Sequence, residues 1–284
     1  MKTITFFFTI LLFLSVNIHA QERETVPVTL EKVSGNVYQL LGGSGANGGV
    51  FIGETSVLVI DAKMDENSVK QSIDLIKKTT DKPIKYLVNT HSDGDHIMGN
   101  RWFPNGVTVV AQENCRDDFF KVNFGRESDW DEPEFFPFVP SLTFKESMDL
   151  WLGHDKVELY YFGVGHTTGD CVVYFPEEKI AFVGDQYFSG RPQLIHSNKN
   201  GNSFEHVKTL TKMLETIDAE KFCSGHSDIV GREDIKKHIQ TMVKRQAKVK
   251  ELIGQDKSQE EVLAEFSEDE ARLVTSIYNE IKGQ

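Results

Sequence analysis

Residues 91–96 read H-S-D-G-D-H and hold a dense cluster of side chains that bind metals. The candidate ligands are His91, Asp93, Asp95 and His96. They follow the mostly apolar segment Ile84–Val88, which predicts a buried strand. Imidazole and carboxylate groups crowded at the end of such a strand are unfavourable unless a cation offsets their desolvation and mutual repulsion. A tight turn at Asp93-Gly94 with solvated charges is the alternative, because Asp and Gly are turn formers.

Three later segments each add one potential ligand at the junction of a strand and a glycine-containing loop. They are G-V-G-H-T-T-G-D with His166, V-G-D with Asp185, and S-G-H-S-D with His226. Neighbouring glycines let the backbone bend sharply and approach an ion closely. We therefore expect Asp95, His96, His166, Asp185 and His226 to converge on one metal centre, although more than a hundred residues separate the first from the last.

The elements that must position these residues follow from hydrophobic periodicity. Strands are predicted at 29–33, 37–41, 50–52, 57–60, 84–88, 107–111, 142–144, 149–152, 156–162, 172–175, 180–183 and 221–223, and helices at 68–79, 203–217 and 235–253. Strands outnumber helices and the helices are interspersed, which indicates two sheets with helices on their outer faces. The acidic, aromatic and proline-rich stretch 129–140 lacks a period and is predicted to be a long surface loop, either a functional lid or an insertion packed flat on the surface.

In order and spacing, the four ligand segments resemble the signature of the metallo-beta-lactamase superfamily: H-x-H-x-D-H, a G-H-T-x-G-D-like segment, a G-D segment and a final G-H. The resemblance covers residues 26–232. It implies an α/β protein, an αβ/βα four-layer sandwich of two mixed β-sheets with helices on the outer faces. It also implies a centre of one or two divalent metal ions at one edge, with zinc expected and iron or manganese as alternatives.

Carried over from the family, His91 and His166 would bind the first metal, Asp95, His96 and His226 the second, and Asp185 would bridge both. The pattern departs from the signature at Asp93, where the family has its second histidine. A carboxylate is shorter and harder than an imidazole, so the first site is expected to be weaker, to prefer a harder metal, or to be empty. On this view, Asp93→His should raise the affinity for a second zinc and increase turnover.

Two cations about 3.5–4 Å apart bring the pKa of a bridging water into the neutral range, so hydroxide is the expected nucleophile. Asp95 is expected to orient the water and pass a proton to the leaving group. The implied activity is metal-dependent hydrolysis of a small carbonyl-type substrate: a beta-lactam, lactone, ester or thioester. Asp185 disfavours the beta-lactamase branches that carry Cys there. A mononuclear iron sulfur-dioxygenase and a catalytically degenerate metal-binding protein are the alternatives.

Tyr187 and His196 follow the bridging Asp185, in a stretch that lines the pocket in this family. Tyr187 is expected to form a pocket wall or to donate a hydrogen bond to a substrate oxyanion, with core packing as the equal alternative. The isolated His154, His206 and His238 are expected to be surface or hydrogen-bonded residues rather than ligands.

Residues 1–20 have the composition of a secretory signal peptide. A basic start at Lys2, an apolar run from Ile4 to Val16 and the small Ala20 precede a polar stretch, so we expect cleavage after Ala20 and a periplasmic or secreted protein. An uncleaved anchor is the alternative, although the run is short for a membrane span. Residues 21–284 are predicted to form one metallo-beta-lactamase-like domain with no membrane span and with a helical tail from about residue 233 to 284.

Composition limits the partners of the protein. The 284 residues include 31 Lys and Arg against 43 Asp and Glu, and the formal charge of -12 disfavours nucleic acids and anionic membrane surfaces. A small-molecule substrate is expected, and the oligomeric state is left open. The three cysteines, Cys115, Cys171 and Cys223, are too few and too widely spaced for a disulfide framework and are predicted to be small buried residues.

Overall fold

The computed structural model describes residues 26–121 and 127–283, so the predicted signal peptide, residues 1–20, lies outside the described residues. The strands are β1 Thr29–Ser34, β2 Val37–Leu41, β3 Gly48–Ile52, β4 Val57–Ile60, β5 Ile84–Val88, β6 Thr108–Gln112, β7 Leu142–Phe144, β8 Ser147–Leu152, β9 Asp155–Tyr160, β10 Val172–Phe175, β11 Ile180–Gly184, β12 Lys221–Ser224 and β13 Val230–Gly231. The α-helices are α1 Glu66–Thr79, α2 Gly94–Ile97, α3 Glu113–Asp118, α4 Ser203–Thr216, α5 Arg232–Gly254, α6 Gln259–Leu263 and α7 Ala271–Lys282.

The strands form two mixed sheets within the described part of the chain. The first sheet runs in the order β1 to β7, antiparallel from β1 to β4 and parallel from β4 to β7. The second has the order β13-β12-β11-β10-β9-β8, with β11 and β12 parallel and the other pairs antiparallel. Parallel neighbours end at the same edge of their sheet, so the residues after β4 and β5 lie at one edge of the first sheet, and those after β11 and β12 lie at one edge of the second.

Three apolar layers hold the sheets and helices together. The central layer, between the two sheets, includes Phe51, Phe175 and Phe182. On the outer face of the first sheet, α1 buries Val69, Ile73 and Ile76. On the outer face of the second sheet, α4 and α5 bury residues such as Leu210 and Ile235. The predicted four-layer αβ/βα sandwich is therefore confirmed.

The stretch 129–140 is anchored in the protein rather than lying loosely on its surface. Trp130 and Val139 are buried in a cluster with Ile97 and Phe119. The guanidinium of Arg101 lies 4.5 Å from the centre of the Trp130 ring. Aromatic and proline residues without a regular period can still bury apolar surface as single anchors, which is why periodicity gave no sign of this packing. Both alternatives for this stretch, a functional lid and an insertion packed on the surface, stay predictions.

Other features of the fold bear on the earlier expectations. The cysteines are buried and free, as predicted. Within residues 26–121 and 127–283, no helix combines the length and hydropathy that crossing a bilayer requires. Helices α5 to α7 occupy the region predicted as a helical tail, and the division of the chain into domains stays a prediction. The short helices α2 and α3 were not predicted, because each has too few residues to show a helical period.

Candidate metal centre

The potential ligands gather at the edge where the parallel strands of both sheets end. His91 lies just beyond β5, Asp185 directly follows β11, and His226 comes two residues after β12. At the end of β11, Gly184 adopts φ +52°, and a Cβ there would lie 2.5 Å from the hydroxyl of Thr90. Glycine is therefore required for the chain to turn Asp185 into the centre.

One group of potential ligands is almost completely buried. It consists of His91, Asp93, His166 and Asp185, whose ligand atoms all lie within 4.8 Å of one another. Asp93 Oδ2 is 3.1 Å from His166 Nε2 and 3.5 Å from His91 Nε2. Both imidazoles also lie 4.0 Å from Asp185 Oδ2. We call these four residues the first group.

A second group lies next to it and reaches the surface. It consists of Asp95, His96 and His226. His226 Nε2 is 2.9 Å from Asp95 Oδ2 and 3.3 Å from Asp185 Oδ2, and His96 Nε2 is 3.3 Å from Asp185 Oδ1. Asp185 thus faces both groups, one oxygen toward His96 and the other toward His91, His166 and His226. The side chain of His226 is 29% exposed, so the centre opens to solvent on this side.

The unsatisfied polar atoms of the centre test whether these residues fit a metal. Among the described residues, the buried atoms His91 Nε2, His96 Nε2 and Asp185 Oδ1 have no hydrogen-bond partner. Buried polar atoms rarely stay unsatisfied, and these three face one another. A Cβ on Gly225 would lie 2.4 Å from Asp185 Oδ1, so glycine keeps this space open. Imidazole nitrogens and carboxylate oxygens converging in this way fit divalent transition metals.

Residues behind the ligands fix the orientation of the imidazoles. Asp61, at the end of β4, lies 2.8 Å from His96 Nδ1 and also accepts hydrogen bonds from the amide and hydroxyl of Thr90 at 2.8 Å. The Thr90 hydroxyl lies 3.1 Å from His91 Nδ1, and Leu194 O lies 2.8 Å from His166 Nδ1. Each Nδ1 is therefore occupied behind the centre, which leaves each Nε2 to point into it.

Charge pairing outweighs burial in the centre. Burial alone would raise the pKa of Asp185, but the positive charge of His96 and the close contact with His226 hold that pKa well below its usual range. Burial likewise favours neutral imidazoles, yet Asp93 raises the pKa of His166 to about 9, and Asp185 with Asp95 raises the pKa of His226 to about 9. Binding an ion therefore requires these histidines to release protons.

The structure brings together every residue predicted as a ligand; their roles as ligands stay predictions. His196 also comes close, with Nε2 2.9 Å from Asp93 Oδ2, although it lies outside the first group. Tyr187 packs in the core between the second sheet and its helices, in line with the packing alternative, and its role toward a substrate stays a prediction. Among the other histidines, His154 is exposed, whereas His206 is buried against His238.

Sequence reasoning missed three residues of this region: Asp61, Thr90 and Lys199. Lys199 is buried, and its Nζ lies 2.6 Å from Asp93 Oδ1. A carboxylate at the end of the apolar strand Val57–Ile60 was a usable signal for Asp61. Nothing local to Lys199 marks it, because its partner lies 106 positions away in the sequence.

Comparisons with known proteins identify relatives of the chain. The model of the metallo-beta-lactamase superfamily matches residues 41–226. A metallo-beta-lactamase type 2 from Elizabethkingia meningoseptica is 25% identical over 203 residues, 63% of this chain and 76% of that protein. A 2,4-dinitroanisole O-demethylase subunit alpha from Nocardioides sp. (strain JS1661) is 26% identical over 165 residues, 57% of this chain and 47% of that protein. The crystal structure of DIM-1 metallo-beta-lactamase has the same fold, with a TM-score of 0.64 at 20% identity over 78% of this chain and 99% of that one.

Proposed function

Because the chain belongs to the metallo-beta-lactamase superfamily, we propose that it uses two divalent ions, zinc in the first instance, to hydrolyse a small carbonyl-type substrate. One observation carries the proposal: Asp185 faces both groups of potential ligands, with Oδ1 3.3 Å from His96 and Oδ2 3.3 Å from His226 and 4.0 Å from His91. A single carboxylate placed between two ligand sets suits a centre that holds two ions close together.

Different residues of the centre would have different roles in such a reaction. Bound divalent ions would supply Lewis acidity, making water nucleophilic at neutral pH and polarising a carbonyl oxygen. Asp185 would serve as a ligand in both groups and so keep them close together. Asp95 lies on the open side beside His226, where its carboxylate can orient a water molecule and carry a proton to the leaving group. The buried His91 and His166 keep the closed side free of bulk water.

The entrance favours a substrate with an anionic group. The ring of Phe188 stacks against His226 with 5.9 Å between centroids, and the Arg191 guanidinium lies 4.0 Å from the centre of the Phe188 ring. This places an exposed cation beside the open side of the centre. Beta-lactams, lactones, esters and thioesters all present a carbonyl to the same chemistry, and we propose that members carrying a carboxylate are preferred.

Metal analysis and a substrate panel test the proposal. Protein purified without added metal is analysed for metal content and assayed on a beta-lactam, a lactone, an aryl ester, a thioester and 2,4-dinitroanisole. We expect two zinc ions per chain and hydrolysis that is lost on chelation and restored by zinc. Asp185→Asn should lose both metal and activity, whereas the exposed Asp218→Asn serves as the matched control and should behave as wild type.

Other outcomes of the same experiment would contradict the proposal. One iron per chain would favour the sulfur-dioxygenase alternative, and the absence of metal would favour the degenerate binding protein. Hydrolysis that survives chelation, or that Asp185→Asn leaves intact, would show that the reaction does not use this centre.

We further propose that the protein acts in the periplasm or outside the cell. The support is the composition of residues 1–20, a short apolar run after a basic start and before a small residue. The intact mass of protein recovered from its natural compartment tests this. The mass should correspond to a chain that begins near Gln21, and a mass that retains residues 1–20 would exclude cleavage.

A further inference from the structure

The carboxylate of Asp93 is divided between two kinds of partner. Oδ2 points into the first group, toward His166 and His91, and is also 2.9 Å from His196 Nε2. Oδ1 points the other way and accepts a hydrogen bond from Lys199 Nζ at 2.6 Å. Asp93 occupies the N-cap position of α2 yet makes no side-chain hydrogen bond to that helix. Its side chain is therefore committed to the centre and to Lys199, not to capping.

Lys199 is fully engaged by acceptors of the ligand segment. Only 4% of its side chain is exposed, and besides Asp93 its ammonium donates to Ser92 O at 3.0 Å and contacts Ser92 Oγ at 3.1 Å. A buried ammonium is unfavourable unless it is paired and hydrogen-bonded, and these contacts use the three donors of Lys199. The ion pair with Asp93 is thus part of the architecture of the centre.

The segment that carries Lys199 is tied to the loop of another potential ligand. His196 N donates to His166 O at 2.9 Å, and Asn202 N donates to Gly165 O at 3.0 Å. A Cβ on Gly201 would lie 2.2 Å from His166 O, so this close contact requires glycine. The backbone therefore presents Lys199 to Asp93 in a defined position.

We propose that Asp93 and Lys199 together replace the second histidine of the H-x-H-x-D-H signature, with Lys199 holding Oδ1 so that Asp93 offers only Oδ2 to an ion in the first group. The pair carries no net charge, like the imidazole that it replaces. Lys199 is thus a positioning residue that keeps the first group from gaining a further negative charge. The inference rests on the proposed function, since it concerns the ions of that same centre.

The pair changes what substitution of Asp93 is expected to do. Asp93→His alone restores the family residue but leaves the Lys199 ammonium buried, without a counterion, beside a divalent cation. Like charges at such short range repel strongly where water is excluded. We therefore expect Asp93→His to weaken zinc binding in the first group, the opposite of the expectation from the sequence, and Asp93→His/Lys199→Met to restore it.

A double-mutant cycle on the full mature chain tests the inference. Zinc affinity is measured by competition with a chromophoric chelator for wild type, Asp93→His, Lys199→Met and the double variant. We expect Asp93→His to weaken the first-group affinity by roughly tenfold or more, and the double variant to return to within roughly twofold of wild type. Lys199→Arg keeps the positive charge and is the matched control for Lys199→Met.

Cobalt spectroscopy supplies a second measurement that does not depend on activity or on whether Asp93→His folds. In Lys199→Met, Oδ1 becomes available to the ion, so coordination by Asp93 should change from one oxygen to two. The visible absorption per bound cobalt should fall, and binding of Mn²⁺ should strengthen relative to Zn²⁺, because a further carboxylate oxygen suits the harder ion. Lys199→Arg should retain the wild-type spectrum.

Several results would overturn the inference. It fails if Asp93→His binds zinc in the first group as tightly as the double variant, or if Lys199→Met leaves both the cobalt spectrum and the metal preference unchanged. A wild-type protein that binds two ions but shows no coupling between the two positions refutes this inference alone. A wild-type protein that binds no metal refutes the proposed function as well.

Discussion

Asp61→Asn should weaken metal binding in the second group, although Asp61 is not itself a potential ligand. Asp61 is buried behind His96, and its Oδ2 is 2.8 Å from both His96 Nδ1 and the hydroxyl of Thr90. Its Oδ1 accepts the amide hydrogen of Thr90, also at 2.8 Å. An asparagine can keep that amide contact only by placing its NH₂ group where Oδ2 was. The imidazole then faces a donor instead of an acceptor.

The size of the effect follows from what the imidazole must do. With Asp61 as acceptor, the His96 proton stays on Nδ1 and Nε2 is free to bind an ion. With a donor there, the favoured tautomer carries its proton on Nε2, 3.3 Å from Asp185 Oδ1. Losing such a supporting contact typically lowers metal affinity about 10- to 100-fold, or about 1.4–2.7 kcal/mol. We expect the upper part of this range, because His96 is fully buried and water cannot take over the contact.

Zinc competition titrations of wild type, Asp61→Asn and Asp65→Asn provide the measurement. Asp65 caps α1 through Ser68 N, and asparagine caps a helix as well as aspartate, so Asp65→Asn controls for the loss of one carboxylate elsewhere. Circular dichroism and urea unfolding establish that each variant is folded. A folded Asp61→Asn protein with second-group affinity within about twofold of wild type would refute the reasoning, because the orientation of His96 would then not depend on Asp61.

Three other predictions concern stability. Trp130→Ala removes a buried anchor of the stretch 129–140 and should lower the free energy of unfolding in urea by about 3–5 kcal/mol. The metal content should stay unchanged. A loss of stability under about 1 kcal/mol would contradict the packing of Trp130. Burial lowers the pKa of His238 from 6.5 to about 4. As the pH falls, the unfolded chain therefore binds this proton before the folded protein does. The contribution of neutral His238 to the free energy of unfolding should be complete above about pH 6.5 and should be lost progressively as the pH falls toward 4. His238→Gln should show a smaller drop in melting temperature between pH 7 and pH 5, and an equal drop would exclude His238 as a source of acid sensitivity. Chelation should lower the melting temperature of wild type but not of Asp185→Asn, and equal shifts would show that the stabilising ion binds elsewhere.

The sequence by itself determined the fold class and the candidate ligands. The predicted strands 37–41, 57–60 and 84–88 coincide with β2, β4 and β5, because alternating and continuous apolar runs report burial on a sheet. The H-S-D-G-D-H segment and the separate His166, Asp185 and His226 were recognisable because metal binding needs particular side chains and nearby glycines. These features depend on residue type and short-range spacing, which a single sequence displays directly.

Only the tertiary structure decided which residues support the potential ligands and which partner the Asp93 carboxylate pairs with. Considered alone, Asp93 is an extra acidic ligand that should disturb the first metal site, but the fold sets Lys199 against its Oδ1. The supporting contact of Asp61 with His96 and the inward packing of Trp130 likewise emerged only in three dimensions. The physical reason is that contacts between distant segments depend on how loops pack at the end of the sheets, and neither periodicity nor local spacing records that packing.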